Sequence, residues 1–131
     1  MTIAVYRPLA AAMLLLAPAF ATNAAQMFTP PLPAPPGSSV QCVIVNATNG
    51  NREITSEVRD SAGNVVAGPY TDAAAWSGKM TGMSYPTPGG TVGVYCHFKV
   101  QGSADGYRGA IEVIGRDAAG NTVVTATLPA S

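Results

Sequence analysis

The sequence predicts an all-β sandwich of about seven antiparallel strands with one inter-strand disulfide. Three observations point there. The only two cysteines, Cys42 and Cys96, each sit at the centre of a short apolar run, 54 residues apart. Short stretches of alternating apolar and polar residues recur, separated by Gly, Asn, Asp and Pro turn signals. Charged residues make up only 11% of the chain, while Gly, Thr, Ser, Val and Ala abound, which suits strands and turns better than helices.

The first residues set the compartment. Arg7 is the one charge before the apolar run Leu9–Ala17, and Ala19-Phe20-Ala21 follows as an A-x-A site. That order predicts a signal peptide over 1–21, cut after Ala21, with Ala25 as the alternative. The run is shorter than the roughly 20 residues a spanning helix needs, and Pro18 breaks it. No second hydrophobic span follows, so the mature chain is expected in the periplasm or outside the cell, without membrane insertion. Outside the cytosol, two cysteines in a small domain read as a disulfide more readily than as a redox pair or metal site; two buried free thiols are the alternative.

After the signal, residues 22–37 form a proline-rich extended leader, with an edge strand expected near Met27-Phe28. The leader reads as a stiff spacer or as a segment for a proline-binding groove. Residues 38–131 are the sandwich domain. Val40, Cys42 and Ile44 alternate with Gln41, Val43 and Val45, which puts Cys42 on the inner face of a strand. Asn46–Asn51 is a turn cluster, and Asn46-Ala47-Thr48 matches a glycosylation acceptor, a match frequent by chance. Glu53–Arg59 alternates and turns through Asp60-Ser61-Ala62-Gly63-Asn64 into Val65-Val66-Ala67, a hairpin signal. Tyr70–Trp76 fits an extended edge, a loop or one turn of helix, and Lys79–Tyr85 a strand weakened by Gly82. Pro86–Gly90 is a turn. Thr91–Val100 is the strongest strand, with Cys96 inward and Tyr95, His97 and Lys99 outward. Tyr107–Gly115 and Thr122–Leu128 close the chain as a second hairpin.

The two hairpins echo one another. Arg59-Asp60-Ser61-Ala62-Gly63-Asn64 and Arg116-Asp117-Ala118-Ala119-Gly120-Asn121 share five of six residue types, and each follows a cysteine-bearing strand. Duplication and repeated use of a good turn both account for this. A bridge between an early and a late strand, with this strand–turn–strand rhythm over 38–129, resembles the immunoglobulin-like and fibronectin-III-like domains of exported bacterial proteins. The resemblance implies a sandwich and a role in binding, adhesion or assembly. Two departures exclude an antibody-type domain: Ile54 stands where a tryptophan would follow Cys42, and Val94 replaces the tyrosine two before Cys96.

Chemistry is sparse. Six Lys+Arg face seven Asp+Glu once Arg7 is removed, and the basic residues are scattered, so nothing marks a nucleic-acid partner. The single histidine, His97, lacks the His or Cys spacing of a metal site, and no nucleophile elbow accompanies it. Glu53 and Glu57 share the wet face of one strand, and Glu112 lies elsewhere. Asp60 and Asp117 read as turn formers, without the acidic density of a calcium loop. No catalytic residue, metal or cofactor is expected. The aromatics are the functional lead. Trp76 with Tyr70 and Tyr85 either anchors a partner or plugs one end of the core, and Tyr95 with His97 forms a mixed stripe or an ordinary exposed face. The expectation is a monomeric, non-catalytic exported binding or adhesion module for a protein or glycan. A structural component of the envelope or matrix is the alternative, and a small secreted hydrolase comes last.

Overall fold

Two antiparallel sheets pack face to face in the computed structural model, which describes residues 24–87 and 92–131. The predicted signal segment and part of the Pro86–Gly90 turn lie outside those residues. The first sheet contains β1 (Ala24–Phe28), β2 (Leu32–Ala34), β4 (Arg52–Asp60), β5 (Val65–Ala75) and β7 (Val92–Gln101). Its order is β1-β7-β4-β5, with β2 continuing the β1 edge along β7. The second sheet runs β6 (Met80–Pro86), β3 (Ser39–Asn46), β8 (Tyr107–Arg116), β9 (Thr122–Pro129).

The sandwich and its bridge are as the sequence predicts, with nine strands rather than about seven. β1 and β2 lie within the span read as an extended leader, and both pair with β7. Met27 and Ala34 from this segment are buried in the core. Prolines at 30, 31 and 33 suit an edge, where a missing N–H costs no ladder bond. Thr29 bridges the break between them: its N–H donates to the Cys96 carbonyl (3.0 Å), and its hydroxyl accepts from the Cys96 N–H (2.9 Å). The ambiguous Tyr70–Ala75 stretch is extended and belongs to the long edge strand β5.

Inward residues alternate as the two-residue period requires. Val40, Cys42 and Ile44 of β3, with Ile111 and Val113 beside them on β8, face Ile54 and Val58 of β4 and Cys96, Phe98 and Val100 of β7, all buried. Cys42 and Cys96 are joined, linking the central strand β3 of one sheet to the central strand β7 of the other. β4 lies beside β7 and β6 beside β3. After Cys96 the chain crosses to the second sheet, where β8 pairs with β3. The flank of β7 that it leaves open is taken by β1 and β2.

The echoed hairpins close with the same bonds. Asp60 Oδ1 accepts from the N–H groups of Ala62 and Asn64, each at 2.9 Å, and Asp117 Oδ1 from those of Ala119 (2.9 Å) and Asn121 (2.8 Å). Arg59 donates to the Gly63 carbonyl and Arg116 to the Gly120 carbonyl. Gly63 and Gly120 have φ of 87° and 82°, which a side chain disfavours. Each aspartate is thus a local template for its turn, and every residue shared by the two motifs has a job in it.

The bridge closes a 54-residue loop. Reducing it, or replacing both cysteines by alanine, should lower unfolding stability by about 4 kcal/mol on the chain-entropy model. Urea unfolding with and without reductant measures this; superimposable curves would refute a stapling role.

Candidate functional site

The outward stripe of β7 is built differently from its sequence reading. Cross-strand register sets Phe28 of β1, His97 of β7 and Glu57 of β4 in one row on the outer face of the first sheet. His97 was expected to point into solvent, yet it is only 3% exposed. The Phe28 ring stacks on its imidazole, with centroids 4.5 Å apart and planes 6° from parallel. Glu57, read as a residue of a wet face, is buried too. Alternation assigns a face; it does not reveal that a strand from the far N-terminal end roofs that face.

Beneath this roof lies a closed polar chain. A carboxylate can only accept, so His97 Nδ1–H donates to Glu57 Oε1 (2.5 Å). Arg59 donates to the same oxygen through Nε (2.8 Å) and Nη2 (2.5 Å). His97 Nε2 meets Gln26 Oε1 at 2.9 Å. Burial pushes the Glu57 carboxyl up, but the hydrogen bonds and charges of His97 and Arg59 outweigh it and hold the group below its ordinary value. A histidine oriented by a carboxylate is two-thirds of a nucleophilic triad. Here the nitrogen that would activate a nucleophile is occupied by Gln26, and Phe28 covers the ring. The arrangement ties β1 to β7 and β4.

The second feature is open. Trp76 does not plug the core; it is 59% exposed, and Met80 is 64% exposed. Trp76 begins the β5–β6 turn, closed by the Lys79 N–H donating to the Trp76 carbonyl (2.9 Å), with Gly78 at φ 83°. Lys79 Nζ sits 4.4 Å above the indole centroid and pairs with Asp72 at 2.6 Å. The hydrogen bond from Lys79 holds the Asp72 carboxyl below its usual range.

Asn46 fixes this turn from below. It is fully buried, and its amide donates to the carbonyls of Ala75 (2.7 Å) and Gly50 (2.8 Å). Its backbone carbonyl accepts from the Gly78 N–H (2.6 Å), and its N–H donates to Lys79 (3.1 Å). The acceptor motif at Asn46 is therefore a structural clamp in the folded domain, with no amide hydrogen left for a glycan. The sequence held both Trp76 and Asn46, but nothing in it joined them.

The other aromatics do not converge on Trp76. Tyr70 is exposed midway along the β5 edge, and Tyr85 is half-buried against the core near the far end of β6. Tyr95 lies on the outer face of the first sheet, 6.4 Å from the Phe28 ring. Glu53 is exposed and Glu112 half-buried, on different sheets, so no carboxylate pair forms. Among the described residues no group of three His, Cys, Asp or Glu is placed to hold a metal ion.

The carboxyls of Glu57, Asp60, Asp72 and Asp117 are all held below their ordinary values, 4.5 for the glutamate and 3.8 for the aspartates. Groups depressed by folding stabilise the native state above their unfolded values and lose that contribution as pH falls through the folded ones. Melting temperature should therefore be level from neutral pH down to about 5 and drop below about 4.5. Glu57→Gln should melt lower at pH 7 and show a shallower acid drop; a variant whose acid profile matched wild type would remove Glu57 from this account. Comparison of the chain with protein-family models, curated proteins and solved structures found no match.

Proposed function

We propose that this chain is an exported, non-catalytic binding module that engages a protein or glycan partner through the Trp76 turn. The observation that carries the reading is the contrast between the two features above. The one histidine is closed off by Gln26 and Phe28, whereas Trp76 and Met80 stand exposed on a turn that Asn46 holds rigid. A large aromatic presented without conformational freedom contributes to binding at low entropic cost. Export is supported by the order of residues 1–21 and by the disulfide. No helix among the described residues is long and apolar enough to cross a membrane.

Assembly through strand edges is less well supported, since each edge is blunted. Pro30, Pro31 and Pro33 interrupt the β1–β2 edge, and Phe28 exchanges two backbone bonds with Ser131 at 3.0 and 3.1 Å. β5 carries Pro69 and register shifts, and β6 lies against β5 through the Asp72–Lys79 pair. β9 has a bulge at Thr125, whose hydroxyl donates to the Val113 carbonyl. A monomer is the consistent state.

Two measurements follow. The mature N-terminus should be Thr22, because β1 begins at Ala24 and a cut after Ala25 would delete two of its paired residues. Intact mass of the exported protein decides; a chain starting at Gln26 would contradict it. Capture of partners from the native envelope or medium should weaken about 30-fold in Trp76→Ala, the size of a binding hot spot, with an unchanged melting temperature. Undiminished capture by that variant would place the binding surface elsewhere.

A further inference from the structure

The outer face of the first sheet carries a second feature, separate from the Trp76 turn. Register places Gln26, Lys99, Thr55 and Thr71 side by side across β1, β7, β4 and β5. This is a single polar rung spanning four strands, each about 4.8 Å from the next. Beyond it toward the sheet end lie Gln101 and Glu53, whose backbone N–H donates to the Gln101 side-chain oxygen at 3.2 Å. The edge strands contribute only alanines there, Ala24 and Ala73. Small edges beside longer central side chains leave a hollow of about 300 Å³, lined by Ala24, Glu53, Thr55, Ala73, Lys99 and Gln101.

The polar groups of the hollow and of the rung that bounds it are available. Lys99 and Glu53 are exposed, and neither makes an ion pair or a side-chain hydrogen bond among the described residues. Thr55 and Thr71 share one hydrogen bond at 2.9 Å, and each hydroxyl keeps further capacity. Gln26 is pre-positioned: its side-chain oxygen is engaged by His97, itself fixed by Glu57, and its amide nitrogen has no partner among the described residues.

We infer that this hollow is a saccharide-binding subsite. It combines the Lys99 cation, the Glu53 carboxylate, the Thr55 hydroxyl and the Gln101 amide in one shallow patch, bounded by the rung that carries Gln26 and Thr71. A sugar ring offers the matching chemistry: hydroxyls that each donate and accept, and a C–H face for Ala24 and Ala73. The buried Glu57–His97 pair fixes Gln26 in the rung that bounds the subsite, which gives the pair a use beyond holding β1. The inference names one ligand class within the binding-module reading and rests on it, but uses different residues.

Amide chemical shifts of the mature, disulfide-bonded protein, titrated with maltotetraose, cellotetraose and tetra-N-acetylchitotetraose to ~10 mM, test it in the millimolar range typical of a single shallow subsite. Shifts should concentrate at Gln26, Thr55, Lys99 and Gln101 for at least one sugar. They should shrink at least fivefold in Thr55→Val and in Lys99→Met, with Trp76→Ala retaining them. His97→Gln should weaken the response while the fold, read from the remaining amides, persists. Absence of shifts with all three sugars overturns the subsite, and so does a response centred on Trp76. Shifts caused instead by free alanine would assign the Lys99 and Glu53 pair to a zwitterion and overturn the saccharide reading. The subsite can fail while partner capture still depends on Trp76, so the two readings fall separately.

Discussion

The fold depends on where its one covalent cross-link sits. Cys42 and Cys96 belong to the central strands of opposite sheets, so the bridge crosses the core between β3 and β7. Every other strand is held, directly or through one neighbour, by one of these two. The connectivity around them is nearly symmetric. β2 pairs with β7 and β6 with β3; β3 pairs with β8 and β7 with β4; each half then ends in an Asp-templated hairpin. Each half therefore sends strands into both sheets, and neither can bury its apolar face alone. The registers differ, since Cys96 faces Val58 beside the Arg59 turn whereas Cys42 faces Ile111, well before Arg116. The offset preserves which side chains point inward, the property the core requires.

The parts of this architecture legible in the sequence are those fixed by local physics. Alternation around each cysteine set the inner faces, and the repeated Arg-Asp-x-Ala-Gly-Asn motif set both hairpins, because each of its hydrogen bonds closes within a few residues. The outer faces were not legible. Whether His97 is wet depends on Gln26 and Phe28, some 70 positions away in the chain. Glu57 looked solvated for the same reason. Trp76 was ambiguous because a large aromatic serves equally well in a core or on a surface. Its exposure is decided by Asn46, whose polar turn character was visible but whose partner at Ala75 was not.

These long-range contacts explain why a short N-terminal strand matters so much. β1 contributes one core residue, Met27, yet its outward residues do more. Phe28 and Gln26 turn an exposed sheet face into a second, small interior, in which Glu57, His97 and Arg59 satisfy one another. Burying such a group costs several kcal/mol unless its partners are present. The full set of bonds to Glu57 meets that condition only with β1 in place, so strand docking and charge burial are mutually dependent.

The same dependence bears on function. A histidine–carboxylate pair invites a catalytic reading only if the distal nitrogen faces a reacting group. In this chain that nitrogen faces the Gln26 side-chain oxygen, on the strand that roofs the sheet. A residue pair that would drive proton transfer elsewhere here passes orientation outward, from Glu57 through His97 to Gln26. Positioning of this kind requires a rigid base, and the β7–β4 ladder beneath it is part of the same bridged core. The Trp76 turn obtains its rigidity by another route, through Asn46 at the end of β3. Both the Gln26 rung and the Trp76 turn are thus held by a buried polar side chain, and a side chain held in place loses less conformational entropy on contact.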